Sequence, residues 1–194
     1  MTNTRKDTKV FIAGSRRLSK LSQEIKRRID NIVDKHLTVI IGDANGVDKA
    51  VQQYLSKKGY SDVLVFCMDG SCRNNIGNWT TQEIKAANPG RRDFAYYATK
   101  DRAMVKEADY GFMLWDGESR GTLTSIVELV RDAKPVVVFV APDKAFYTLR
   151  DSSDLVKVSL HVDHADFDRI ERDLQTANTS QAASRKHVVA PPLF

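Results

Sequence analysis

Tyr110 to Val140, YGFMLWDGESRGTLTSIVELVRDAKPVVVFV, decides how the rest of the chain is read. Its first six residues form an apolar run that suits a strand. Turn chemistry follows from Asp116 and Gly117, and then Leu123, Ile126, Val127 and Val130 recur at helical spacing. Pro135 ends that helix and opens a second apolar run, Val136 to Val140. The stretch is therefore strand, turn, helix, strand. Two parallel strands joined by a helix place the turn at the carboxyl end of the sheet, where open α/β sheets bind ligands. A turn ending in Gly121 and Thr122 also leaves first-turn N–H groups free to meet an anion.

The same unit recurs on the N-terminal side. Lys9 to Ala13 (KVFIA) reads as a strand, with Gly14, Ser15, Arg16 and Arg17 as its turn, and Leu18, Leu21, Ile25, Ile29 and Ile32 as the stripe of a helix. Thr38 to Ile41 is a second strand, ended by Gly42-Asp43-Ala44-Asn45-Gly46. Its helix follows with Val47, Ala50, Val51, Tyr54 and Leu55 on one face. Asp62 to Met68 is a third strand. Asp69 to Arg92 is polar and turn-rich, with a short helical possibility near Thr81 to Ala86, and lies on the ligand side of the sheet. Asp93 to Ala108 is a helix whose inward stripe includes Asp101. Leu155 to Val162 reads as a further edge strand and Ala165 to Leu174 as a last helix. Strands alternating with helices imply right-handed parallel crossovers. The fold expected is a single α/β domain, a three-layer αβα Rossmann-like doubly wound sheet of about five parallel strands in the order 3-2-1-4-5. A flexible arm over residues 1–8 precedes it, the domain spans 9–175, and residues 176–194 form a largely disordered tail.

Composition narrows the classes. A chain of 194 residues with 42% hydrophobic and 28% charged residues is that of an ordinary globular domain. No apolar run reaches the roughly 18 residues needed to span a bilayer, and no apolar signal segment opens the chain, so no membrane partner is expected and cytoplasm is the default. The net charge of +5 is spread along the chain. Lys26, Arg27 and Arg28 fall on the outer side of a helix, so nucleic acid is permitted as a partner rather than indicated. Cys67 and Cys72 lack nearby histidines and make a poor metal site; they read as buried or free thiols. His161 and His164 lack carboxylate companions, so no metal and no cofactor is expected.

Three turns thus stand at one sheet edge, each before a helix. Neither G-x-G-x-x-G nor G-x-x-x-x-G-K-[ST] is present. FIAGSRR, IIGDANGVDKA, KDRAM and WDGESRGTLTSIVE, in that order, resemble the SLOG superfamily, named for Smf/DprA and LOG proteins, and in particular its small stand-alone YspA-like members. The resemblance covers Lys9 to Val140. It implies a Rossmann-like sheet that binds nucleotides or nucleotide-derived ligands, with Gly14, Ser15, Arg16, Gly42 and Gly46 in the first two turns. Lys100, Gly117, Arg120, Gly121 and Thr122 complete the phosphate-side set. It also implies a homodimer, for which the helix Asp93 to Ala108 is the candidate contact.

LOG members are phosphoribohydrolases that cleave nucleoside monophosphates. Their R-K-x-x-M motif corresponds here to Lys100-Asp101-Arg102-Ala103-Met104, and the glutamate of their G-G-x-G-T-x-x-E motif corresponds to Ser125. The preferred reading is therefore a nucleotide-binding protein. N-glycosidic hydrolysis of a nucleoside 5′-monophosphate is the alternative, and single-stranded DNA binding a third. Whether the protein is an enzyme stays open, and the acids available for catalysis are Asp101, Asp116 and Glu128. Each has a plain reading too: Asp101 pairs with an arginine, Asp116 caps its turn, and Glu128 faces solvent. Tyr96, Tyr97, Trp79 and Trp115 are the aromatics that can stack a base or fill the core.

Overall fold

The computed structural model describes residues 8–86, 93–162, 167–170 and 172. It contains a seven-stranded sheet with α-helices on both faces. The strands are β1 (Lys9–Gly14), β2 (Thr38–Ile41), β3 (Val63–Met68), β4 (Thr80–Ile84), β5 (Tyr110–Trp115), β6 (Val136–Val140) and β7 (Ala145–Leu149). Their spatial order is β4-β3-β2-β1-β5-β6-β7. All neighbours pair in parallel except β6 and β7. The five expected strands take the expected order, and the Rossmann-like doubly wound architecture stands. The sheet gains one strand at each edge.

Both extra strands correct the sequence reading. The polar segment Thr80–Ile84 is strand β4, where a short helix was the expectation for Thr81 to Ala86; four of its residues are exposed, as an edge strand allows. The last edge strand is Ala145–Leu149, returning antiparallel after a turn in which Lys144 has φ 51°. Leu155 to Val162 is not a strand: Ser152–Leu155 forms a 3-10 turn that runs into the short helix Val156–Ser159. Residues 167–170 and 172 are helical, within the expected last helix. The rest of that helix, the arm before Thr8 and the tail 176–194 lie outside the described residues.

Helices α1 (Gln23–Asp34) and α2 (Val47–Lys57) cover one face of the sheet. Ile25, Ile29 and Ile32 meet Val10, Ile12, Val39 and Phe112 there. The other face carries α3 (Phe94–Glu107) and α4 (Arg120–Arg131), whose Met104, Val105, Ile126 and Val127 meet Phe11, Met113 and Trp115. The alternation Val10/Phe11/Ile12 thus divides one strand between two cores, as a sheet covered on both sides requires. Because α1 leaves β1 to one face and α4 leaves β5 to the other, the chain reverses direction between these neighbours. That switch point opens a crevice beyond their carboxyl ends.

The cysteines also differ from expectation. Cys67, at the end of β3, and Cys72 are joined by a disulfide with their Cα atoms 4.9 Å apart, so neither is a free thiol.

Candidate functional site

A cavity of about 440 Å³ occupies the switch-point crevice. After β1 come Gly14 and Arg16, and after β2 Ala44 and Asp48. Arg73 reaches in from the segment after β3. Helix α3 contributes Asp93, Phe94, Tyr97, Ala98, Lys100, Asp101 and Met104, and the start of α4 contributes Ser119, Arg120, Gly121, Thr122 and Ser125. The volume is in the range of small-molecule sites. A narrower recess continues beside it, lined by Phe94, Ala98, Asp101, Arg102, Gly121, Thr124, Ser125 and Glu128.

The start of α4 is built to face this space. Ser119, its N-cap residue, makes no side-chain cap hydrogen bond, so first-turn N–H groups are left toward the cavity. A Cβ added at Gly121 would meet nothing within 4 Å. Its missing side chain is therefore not a packing requirement; it leaves the helix backbone open to the cavity. Thr122 is buried and donates its hydroxyl to Ser119 Oγ at 3.0 Å, and Ser125 donates to Gly121 O at 3.2 Å.

One wall of the cavity is an ionic cluster of which the sequence reading singled out only Lys100. Asp43, buried at the end of β2, accepts from Arg73 N at 3.0 Å and pairs with Arg73 Nη2 at 2.8 Å and Lys100 Nζ at 3.1 Å. Burial disfavours its charge, yet the hydrogen bonds from Arg73 and the nearby Lys100 ammonium outweigh this and hold the carboxyl at about 2. Asp48, in the first turn of α2, accepts from Ala44 N at 3.1 Å. Burial pushes its carboxyl up to about 6, against the pull of Lys100 and the Ala44 N–H. A Cβ on Gly42 would fall 2.5 Å from Asp48 Oδ2 and 2.6 Å from Lys100 Nζ, so glycine makes room there for the charged groups. Gln52, fully buried one turn beyond Asp48, donates to Gly42 O at 2.8 Å and accepts from Ile76 N at 2.9 Å. With Asn74 donating to Asp43 O at 2.8 Å, this ties the segment carrying Arg73 to the β2 turn. A signal for it existed: Asp48 and Gln52 are spaced i, i+4, a polar stripe beside the apolar stripe of α2.

Of the acids proposed from sequence, Asp101 and Glu128 line the narrower recess and Asp116 lines neither space. Asp101 forms no hydrogen bond or ion pair with any described residue; burial raises its pKa, while Lys100, Arg16 and Arg73 favour its ionised form. Glu128 does not simply face solvent. Its side chain is 12% exposed and meets Arg102 Nε at 3.1 Å; burial raises its pKa, and Arg102 opposes that rise. Asp116 serves its own turn, accepting from Ser15 Oγ at 2.5 Å and from the N–H groups of Ser119 at 2.7 Å and Glu118 at 3.1 Å. Burial works against its charge, but these hydrogen bonds hold its carboxyl below the usual range.

Among the cations, Arg16 and Arg120 line the cavity, whereas Arg17 is exposed and pairs with Glu118. Gly46, with φ 84°, sits where a Cβ would strike the Arg16 backbone at 2.5 Å, so the first two turns pack on each other. Ser15, Gly42, Gly46 and Gly117 support the site from behind rather than lining it.

The aromatics separate as well. Trp115 is core, donating to Ser119 O at 3.1 Å; Trp79 donates to Tyr60 O at 2.8 Å; and Tyr96 donates to Asp69 Oδ2 at 2.7 Å. Tyr97 lines the cavity, with Arg16 Cζ 5.9 Å and Arg73 Cζ 5.0 Å from its ring centre. Phe94, half exposed at the rim, carries Arg120 Cζ 5.3 Å from its ring centre. His161 pairs with Asp143 at 2.9 Å, and His164 lies outside the described residues. Among the described residues no group of three or more His, Cys, Asp or Glu is arranged to hold a metal ion.

The fold places the chain among Rossmann-like α/β proteins, with a crevice at the switch point. No family model matches the sequence, and no curated protein matches it either. Among solved structures the chain is similar to DNA processing protein A from Helicobacter pylori, a study of its single-stranded DNA binding mode, with a TM-score of 0.53 and 14% identity over 88% of this chain and 81% of that one. It is also similar to DNA processing protein A (DprA) from Streptococcus pneumoniae, with a TM-score of 0.51 and 13% identity, covering 78% of this chain and 62% of that one. At these identities the likeness is one of fold. Among the described residues no helix is long and apolar enough to cross a membrane.

Proposed function

We propose that this protein binds a nucleotide or nucleotide-derived ligand in the switch-point cavity, as a protein of the SLOG type. The observation that carries the reading is the open start of α4, where the unoccupied space over Gly121 meets Arg16 and Arg120 beside two rim aromatics. A helix start with arginines favours a phosphate group. Phe94 and Tyr97 offer ring faces for a base. Isothermal titration of the purified protein with nucleoside 5′-monophosphates tests it: saturable binding that competes with inorganic phosphate is expected. No heat and no protection against thermal unfolding with any of AMP, GMP, CMP and UMP would refute it.

A second reading, hydrolysis of the N-glycosidic bond of a nucleoside 5′-monophosphate, is favoured by Asp101 and Glu128 lining one recess next to the phosphate-side turn. There one carboxylate takes a proton from the water whose oxygen bonds to the anomeric carbon, while the C–N bond breaks and the base leaves with a proton from the second acid. Release of free base that Asp101→Asn or Glu128→Gln abolishes would establish it, and its absence with binding retained leaves the binding reading alone. Single-stranded DNA binding, the subject of the work on one structural neighbour, predicts oligonucleotide retention that weakens steeply with salt. The homodimer is part of the proposal and is checked by light scattering on the eluting protein.

A further inference from the structure

The wall opposite the phosphate-side turn holds a carboxylate with no hydrogen-bond or ion-pair partner among the described residues. Asp101 lies on α3 one turn beyond Ala98 and two beyond Phe94, on the face that lines the cavity. No described residue donates a hydrogen bond to it, although its neighbours Asp43, Asp48 and Glu128 all have donors. Asp101 is half-buried at the cavity wall, so a ligand that covers its carboxylate must supply the donors that water otherwise gives it.

Position limits what the donor can be. Asp101 shares its recess with Gly121 and Ser125, directly beside the helix start that faces an anion. If a 5′-phosphate sits at that helix start, the group reaching Asp101 is the one bonded to the phosphate, which is the pentose. The base lies further out, where Phe94 and Tyr97 stand at the rim. Repulsion between the phosphate and Asp101 is offset by Arg16, Arg73 and Lys100, each close enough to favour the ionised carboxylate. Two adjacent hydroxyls match the two oxygens of a carboxylate as a pair of donors.

Resting on the nucleotide-binding reading above, we infer that Asp101 accepts hydrogen bonds from the 2′,3′-diol of the ligand, making it a specificity-determining residue that selects ribonucleotides over 2′-deoxyribonucleotides. The site then disfavours DNA components for a stated chemical reason: a deoxypentose covers the carboxylate but leaves one of its oxygens without a donor.

The test pairs a change in the ligand with a change in the protein. AMP, GMP, CMP and UMP are titrated against the wild-type chain alongside their 2′-deoxy counterparts, and the best-binding pair is repeated with Asp101→Asn and Asp101→Ser. The wild type is expected to bind the ribonucleotide about tenfold or more tightly, as for a lost hydrogen bond to a charged group. In both variants the deoxyribonucleotide loses only its 3′-hydroxyl contact while the ribonucleotide loses both, so the ribonucleotide weakens more and the ratio collapses toward one. A merely structural role for Asp101 lowers both ligands together and leaves the ratio intact, which overturns the inference. Equal binding of ribo- and deoxyribonucleotides by the wild type overturns it too while leaving the nucleotide-binding reading in place. Binding of none of the eight removes both. Circular dichroism of each variant confirms that the comparison is between folded proteins.

Discussion

Replacing Asp48 by asparagine is expected to stabilise the protein at neutral pH, and the size of the effect follows from its surroundings. The Asp48 carboxyl titrates at about 6 in the folded chain against an unperturbed 3.8. About two units at 1.36 kcal/mol each make its ionised form cost about 3 kcal/mol relative to the neutral one. A raised folded pKa on an acid means that the native state holds a proton the unfolded chain has already lost between pH 3.8 and 6. Stability therefore falls as pH rises through that window and is flat above it. Asparagine keeps the neutral shape and an oxygen to accept from Ala44 N, so the variant lacks this loss. Urea unfolding followed by tryptophan fluorescence, at half-unit steps from pH 4 to 8, reads it out. The variant's advantage should be near zero at pH 4 and grow to about 3 kcal/mol by pH 7, less a constant offset for any misfit beside Lys100. Asp43, held at about 2, adds a slope of its own near pH 4 as its unfolded form ionises, but wild type and variant share it and it drops out of their difference. A difference between variant and wild type that stays constant from pH 4 to 8 would refute the reasoning, whatever its sign.

Substituting Gly121 by valine should leave thermal stability nearly unchanged, because nothing lies within 4 Å of the new Cβ, yet abolish nucleotide binding measured by titration; retained binding would move the phosphate elsewhere. Lys100→Met removes the buried cation between Asp43 and Asp48 and should cost about 3–5 kcal/mol in urea unfolding, the usual range for breaking a buried ion pair. Reduction of the Cys67–Cys72 bridge, whose partners are 5 apart in sequence, should lower stability by about 2 kcal/mol on the chain-entropy estimate for so short a loop. Thiol titration before and after reduction checks that no free thiol is present at the outset.

The parallel core was legible because buried strands and amphipathic helices imprint their periods directly, as VFIA, TVII and VVVFV do. Strand β4 was not, since Thr80–Ile84 lies at an exposed edge and pairs through its backbone, leaving no apolar alternation to read. The opposite error arose at Leu155 to Val162, where Val156 and Val158 mimic a period of two but only Val158 is buried. The site divides similarly. Arg16, Lys100, Asp101, Arg120, Gly121 and Thr122 all reach the cavity from motifs visible in the chain. Arg73 was invisible because its meaning comes from Asp43, thirty positions earlier, and pairing at that range leaves no mark on local spacing.

The glycines that looked alike as turn punctuation do different physical work. A side chain on Gly14 would collide first with the Leu114 carbonyl and then with Val47, so that glycine serves the close approach of β1 to β5 and the packing of α2. Gly42 yields its volume to Lys100 and Asp48, and Gly46 combines a left-handed backbone with close approach to Arg16. Each of these three is accounted for by neighbours already in the protein. Gly121 is not: its missing side chain is matched by empty space between an α-helix start, two arginines and an unpartnered carboxylate. A glycine without such a reason, at a helix start that lines the cavity, supports the proposed anion subsite after β5, with the first two turns shaping the wall that carries Arg16, Lys100 and Asp48.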